Sequence, residues 1–142
     1  MIKYMNSLLL VRRQTEESCI EAVKENGFEL QYVIEQTQKI CMEAVKESGM
    51  SLQFVKEQTE EICLEAVKRN PYALQFVKEQ TEEMCLIAVK QVGNSLKFVI
   101  EQTPEICLEA LKQDIKAFNY INWNEFGVSK NELIEIFTKL VS

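Results

Sequence analysis

Five cysteines stand at Cys19, Cys41, Cys63, Cys85 and Cys107, and every interval between them is 22 residues. The same step joins Thr15, Thr37, Thr59, Thr81 and Thr103, then Ala22, Ala44, Ala66, Ala88 and Ala110, then Lys24, Lys46, Lys68, Lys90 and Lys112. The units read QTEESCIEAVKENGFELQYVIE, QTQKICMEAVKESGMSLQFVKE, QTEEICLEAVKRNPYALQFVKE, QTEEMCLIAVKQVGNSLKFVIE and QTPEICLEALKQDIKAFNYINW. No insertion interrupts them from Gln14 to Trp123. A strict period of this length means that one module recurs and that each copy packs on the next.

The punctuation within a unit is helical. The five threonines take the N-cap position, where the hydroxyl accepts an otherwise orphaned backbone N–H. Glu16, Glu17, Glu60, Glu61, Glu82 and Glu83 follow in the first turn, where the helix dipole favours negative charge. Pro104 stands at the first helical position, where a missing N–H costs nothing. Asn26–Gly27, Ser48–Gly49 and Gly93 predict a C-terminal stop, and Asn70–Pro71 ends the third helix by another route. A second, shorter helix is expected from about Phe28 to Glu35, and at the equivalent place in each unit.

At roughly 100° per residue, Ile62, Cys63, Leu64, Ala66 and Val67 fall within an arc of about 200°. That is wider than the stripe of an ordinary surface helix, and fits one that touches its own partner and both neighbouring copies. On the second helix Leu52, Phe54 and Val55 face inward, with Gln53, Lys56 and Glu57 outward. The expected fold is all-α: an α-solenoid of five 22-residue helix-turn-helix repeats, in one domain over residues 1–142. Residues 1–13 form an N-terminal half-repeat, with Leu8 at the position of Leu30 and Val11 at that of Val33. Residues 14–123 hold the repeats and 124–142 a C-terminal cap. In that cap Ser129 and Glu132 make a capping box, and Val128 staples onto Leu133. Leu133, Ile134, Phe137, Leu140 and Val141 give its apolar face.

Composition narrows the function. The chain has 22 acids against 16 bases, a net charge of −6, so no direct nucleic-acid binding is expected. It has no histidine, the commonest general base and metal ligand. No run of about 18 apolar residues occurs, so no membrane span is expected. The run Leu8 to Val11 is too short for a signal-peptide core. An odd number of cysteines fits a disulfide framework badly, and a cytoplasmic, reduced chain is expected. No phosphate loop, nucleophile elbow or metal-ligand cluster is present, which predicts a protein that is not an enzyme, with no cofactor and no metal. A redox or metal role for the cysteine ladder competes with simple packing. Stacked helices lie about 9–10 Å apart, too far for a disulfide or for shared zinc ligation, so a buried packing column is expected.

The core AV-K-x-x-G…L-x-[FY]-V, carried from about Gln14 to Trp123, resembles the helical-repeat family catalogued as domain of unknown function 4116. The resemblance implies tandem helical repeats of the kind found in bacterial, phage and giant-virus proteins. It implies no activity, ligand or catalytic residue. Pro71 and Ile115 replace the repeat glycine here, and Ile87 replaces a glutamate.

In solenoids the exposed ladders bind partners. The expected function is a non-catalytic scaffold that binds a protein partner through a surface ladder of repeated positions. The ladder comprises Gln31/Ile34, Gln53/Lys56, Gln75/Lys78 and Lys97/Ile100. A second candidate surface is the turn between helices, where the units differ most: Phe28, Met50, Tyr72 and Asn94. The alternative is an acidic phage- or virus-type inhibitor that occludes a nucleic-acid-handling enzyme as a counter-defence protein. A homodimer through Leu8, Leu9 and Leu10 at the N-terminal end is a further expectation.

Overall fold

A computed structural model describes Leu8 and residues 13–142 apart from Val128, with the backbone alone for Leu133, Leu140 and Val141. Each 22-residue unit is an α-helix followed after one residue by a 3-10 helix. The α-helices are α1 (Glu16–Glu25), α2 (Gln38–Glu47), α3 (Glu60–Arg69), α4 (Glu82–Gln91) and α5 (Pro104–Gln113). The 3-10 helices are η1 (Gly27–Tyr32), η2 (Gly49–Phe54), η3 (Pro71–Phe76), η4 (Gly93–Phe98) and η5 (Ile115–Tyr120). A short turn, η6 (Trp123–Phe126), leads to the terminal helix α6 (Lys130–Val141). Among the described residues there is no strand, and no helix is long and apolar enough to cross a membrane. The protein is an all-α tandem-repeat solenoid.

The threonines cap as the sequence predicts. Thr37, Thr59, Thr81 and Thr103 each accept from the backbone N–H three residues on. Thr15 adds the reciprocal half of a capping box through Ser18. Ser129 and Glu132 form the predicted box on α6. The predicted staple lies outside the described residues, because Val128 and the Leu133 side chain are not among them. On α6 Phe137 is buried, and Ile134 and Ile136 are exposed.

Two features of the second helix differ from expectation. It is a 3-10 helix, and it ends at Tyr32, Phe54, Phe76, Phe98 and Tyr120 rather than three residues later. Val33, Val55, Val77, Val99 and Ile121 close it in extended conformation, near φ −73° and ψ 120° in the case of Val77. The repeat glycine also has another role. The residue before it, Asn26 for example, is extended at φ −149° and serves both as C-cap of the α-helix and N-cap of the 3-10 helix. Its side chain accepts from Phe28 N–H, as Asn70 accepts from Tyr72 and Asp114 from Lys116. Among the described residues only Gly127 has a left-handed φ, +63°.

Gly27, Gly49 and Gly93 are required by close approach. A Cβ at Gly49 would run into the Ala66 carbonyl of the next repeat, and one at Gly93 would lie 2.5 Å from the Ala110 carbonyl. At Gly27 it would meet Ser51 Oγ and lie 2.5 Å from the Ala44 carbonyl. Their amides are held from the same side: Gly27 N–H donates to Glu47 Oε2, and Gly93 N–H to Gln113 Oε1.

The chain divides into two compact units, Met1–Glu79 and Gln80–Ser142. In the first, α1, α2 and α3 pack in succession, and η1 and η2 each sit between their own α-helix and the next. Ile40, Cys41, Ala44, Val45 and Leu52 are at most 3% exposed, as are their equivalents Ile62, Cys63, Ala66, Val67 and Leu74. Leu64, at the edge of the predicted arc, is half-buried. Leu8 is 2% exposed, buried as Leu30 is, and its N–H donates to Glu29. Val11, Leu9 and Leu10 lie outside the described residues. In the second unit α4 and α5 pack together with η4 between them. Ile115 takes the repeat-glycine position in the last repeat and is 73% exposed. Pro71 holds the same position in the third repeat, buried, so the position accepts a Cβ there as well.

Candidate functional site

The glutamine that opens each unit organises the ladder. Gln36 Nε2 donates to Phe54 O at 2.7 Å, and its Oε1 accepts from Lys56 N–H at 3.0 Å. The same pair of bonds joins Gln14 to Tyr32 and Ile34, and Gln58 to Phe76 and Lys78. It also joins Gln80 to Phe98 and Ile100, and Gln102 to Tyr120 and Asn122. The side-chain amide thus acts as a substitute peptide group that brackets one residue of backbone. It captures the N–H and C=O a continuing helix would use, which explains why the 3-10 helix stops where it does.

The fold therefore fixes the backbone at positions 34, 56, 78 and 100 while leaving their side chains outside. Ile34 is 73% exposed and Ile100 61%, and Lys56 and Lys78 are exposed. The position that follows the bracketed residue carries Ile, Lys, Lys, Ile and Asn in the five repeats, so the clamp, which holds only its backbone N–H, does not dictate its side chain.

The other ladder residues are exposed but structurally engaged. Gln31, Gln53 and Gln75 each donate through Nε2 to the carbonyl three residues earlier, of Phe28, Met50 and Tyr72. Each thereby folds back onto its own 3-10 helix and keeps Oε1 as an acceptor. Lys97 Nζ lies 5.0 Å from the Phe98 ring centre and 5.8 Å from that of Tyr120. Lys56 Nζ reaches Ile34 O at 3.4 Å, so adjacent rungs of the first unit touch.

The turn residues are less uniform. Phe28 meets Phe54 edge-on at 5.9 Å between ring centres, which gives it a role in joining neighbouring repeats. Met50 is half-buried, and Tyr72 is 37% exposed. Asn94 is half-buried, with its Oδ1 enclosed and lacking a hydrogen-bond partner.

The cysteines belong to the glutamine clamps. All five are buried and free. Cys41, Cys63 and Cys85 donate to Oε1 of Gln36, Gln58 and Gln80 at 3.5 Å, and Cys19 and Cys107 to Gln14 and Gln102 at 3.8 and 3.7 Å. Desolvation pushes their pKa values up, to about 11 for Cys63 and Cys85 and about 12 for Cys107. The Glu82 carboxylate adds to the rise at Cys85, and Glu125 at Cys107. A reactive thiol needs the opposite shift. Among the described residues no three His, Cys, Asp or Glu side chains converge as metal ligands do.

A second surface feature lies in the second unit. Leu111, Ile115, Phe118, Ile134, Phe137, Thr138 and Ser142 line an open apolar cleft of about 430 Å³. Thr138 Oγ1 donates to Ile134 O, which leaves its hydroxyl to act toward the cleft only as an acceptor. Lys130 Nζ stands 5.1 Å from the Phe118 ring centre and 5.8 Å from that of Trp123, holding the start of α6 against η5 and η6.

Sequence reasoning assigned no role to the glutamine clamp. Its signal was present: Gln14, Gln36, Gln58, Gln80 and Gln102 recur at the repeat interval directly before each threonine cap. A capping threonine does not need that neighbour, so the recurrence itself required another explanation.

No curated protein and no solved structure matches the chain. The family model described as "Domain of unknown function (DUF4116)" matches three overlapping times, over residues 37–80, 59–102 and 81–126. Each match spans about two of the clamped units, and together they cover more than half of the sequence; the chain belongs to the DUF4116 family.

Proposed function

We propose that the protein is a non-catalytic helical-repeat scaffold that binds a protein partner through the exposed side chains of its clamped repeats: Ile34, Lys56 and Lys78 in the first unit, and the equivalent Ile100 in the second. The observation that carries this reading is the combination of a clamped backbone with an exposed, variable side chain. A surface that reads a partner needs rigid placement and freedom to change residue, and the glutamine brackets supply both. Ile34 and Ile100, 73% and 61% exposed, each offer a partner an apolar contact.

The test is capture from source or host lysate, comparing the native chain with a variant carrying Ile34→Ser, Lys56→Ser, Lys78→Ser and Ile100→Ser. A specific protein retained by the native chain and lost by the variant, with both equally stable to heat, supports the ladder. Equal retention by both would remove it.

The acidic inhibitor is the second reading, favoured by the exposed pairs Glu60–Glu61 and Glu82–Glu83 at the helix starts. Within the first unit Gln38 and Lys39 interrupt that row between Glu17 and Glu60, which weakens it as a phosphate mimic. Capture of a nucleic-acid-handling enzyme, released by salt and unaffected by the Ser changes, would favour it.

A further inference from the structure

The first unit presents an outer stripe without charge, in a chain of which 27% is charged. On a 3-10 helix, residues three apart stand one above the other. Phe28 and Gln31 on η1, Met50 and Gln53 on η2, and Tyr72 and Gln75 on η3 form such pairs, and the three helices lie side by side. Met50 is half-buried and the other five are exposed, Phe28 by 39% and Tyr72 by 37%. Each glutamine is folded back onto the carbonyl of its pair, which fixes it beside the apolar residue. In the second unit the same two columns read Asn94, Lys97, Lys116 and Asn119, so apolar side chains give way to polar and charged ones. We propose that the stripe of the first unit binds a proline-rich segment of a partner protein in the polyproline II conformation, with one residue in three seated on it, in the pattern P-x-x-P-x-x-P. The proposal goes beyond the ladder at positions 34, 56, 78 and 100, whose side chains it does not use.

Pitch selects this occupant. Packed helices repeat about 8–10 Å apart. Polyproline II advances about 3.1 Å per residue with three residues per turn, so every third side chain returns to one face after about 9.3 Å. One turn of the segment therefore matches one rung of the stripe. Aromatic surfaces suit such segments, which enter them already ordered. Phe28 meets Phe54 edge-on at 5.9 Å between ring centres, so aromatic surface continues from the first rung to the second. Proline has no N–H, which leaves carbonyls as the main hydrogen-bonding groups of the segment. Each glutamine commits one Nε2 proton to its own helix and keeps the second as a donor for such a carbonyl. The charged residues within four positions of the six are six cations and six acids, so the border of the stripe has no net charge to select a charged partner.

The experiment uses the full chain and fluorescein-labelled 12-residue peptides, read by anisotropy at 50 and 300 mM salt. One peptide is oligoproline, and a second carries proline at every third residue with serine between. A third carries proline at every fourth residue, and a fourth is a Gly/Ser chain. The first two should bind about tenfold more tightly than the last two, with little change between the two salt concentrations. Met50→Asn/Gln53→Lys installs on η2 the pair that η4 carries as Asn94 and Lys97, which this repeat already tolerates. That variant should weaken oligoproline binding about tenfold and keep the native melting temperature. Should it melt early, Gln75→Lys, at an exposed position, makes the same comparison. No binding of a proline peptide at 1 mM, equal affinity for all four peptides, or indifference to the folded variant overturns the proposal. Binding of cellohexaose in place of the proline peptides also overturns it, and would assign the stripe to a glycan. The Ile34→Ser/Lys56→Ser/Lys78→Ser/Ile100→Ser variant keeps the stripe and should bind oligoproline as the native chain does, so failure of the ladder and failure of the stripe are read apart.

Discussion

Gln58 and Lys78 are joined across twenty residues of sequence, Gln58 Oε1 accepting from the Lys78 backbone N–H at 3.0 Å. The same amide donates to Phe76 O at 2.7 Å, so Val77 is held between two bonds from one side chain. A single residue thereby ends the 3-10 helix, returns the chain toward the next threonine cap and aims the Lys78 side chain outward. Structure and candidate binding surface have the same origin in this repeat.

Replacing Gln58 by Ala should therefore cost about 1–3 kcal/mol, since its bonds to the part-buried Phe76 carbonyl and to the exposed Lys78 N–H are lost together. Gln58→Glu should cost a comparable amount: the carboxylate still accepts from Lys78, but it has no donor for Phe76 O. Urea unfolding of the two variants against the native chain measures both. A loss below about 0.5 kcal/mol in each would mean that water replaces the clamp freely.

The repeat glycine gives a sharper contrast. Gly49→Ala places a methyl group against the Ala66 carbonyl and 3.0 Å from the Asn70 backbone nitrogen, and should cost about 1–3 kcal/mol through displacement of α3. Ile115→Ala, at the same repeat position but 73% exposed, should change stability by less than 0.5 kcal/mol. Thermal melts of the pair would show whether close approach, rather than turn geometry, selects glycine here. Equal losses would disprove that.

What the sequence revealed divides along the range of the interactions. The bounds of α1 to α5 and their buried arc were legible because capping and amphipathicity act within four residues. Ile62, Cys63, Ala66 and Val67 were all placed correctly by projection alone. The end of η1 was not legible, because the group that terminates it, Gln14, lies 18 residues from the carbonyl it binds. Gly27 was misread for the same reason: its constraint comes from Ala44 in the next repeat, whereas a helix-ending glycine is ordinarily explained by its own φ. For the candidate site, the exposed Ile34 and Ile100 were found from the sequence, while the clamps that make their placement rigid were not.

Ser51 offers a gain in stability. Its Oγ is fully enclosed and has no hydrogen-bond partner, and the same position in the next repeat is Ala73, equally buried. Ser51→Ala removes an unsatisfied hydroxyl without opening a cavity larger than one oxygen atom, and should stabilise the protein by about 1 kcal/mol. Differential scanning calorimetry would register the rise in melting temperature. A fall would indicate that the hydroxyl is solvated in the folded chain.

Alkaline pH should weaken the fold through its thiols. Burial raises Cys63 and Cys85 to about 11 and Cys107 to about 12, from an unperturbed value of 9.0. The unfolded chain therefore releases these protons first as pH rises. The stabilisation is fully present below pH 9, is lost progressively from there to about pH 11–12, and levels off once the folded thiols also ionise. Lysine and tyrosine titrate in the same range, so the contrast must be made within one background: a Cys63→Ser/Cys85→Ser/Cys107→Ser variant, whose hydroxyls can still donate to Gln58, Gln80 and Gln102. Urea midpoints between pH 7.5 and 10.5 should fall more steeply for the native chain than for this variant. Parallel slopes would show that the thiols titrate alike in the folded and unfolded chain, which would contradict their burial. Alkylation by iodoacetamide at pH 8 gives an independent check, slow in the native state and fast in urea, because the reagent requires a thiolate that the fold suppresses.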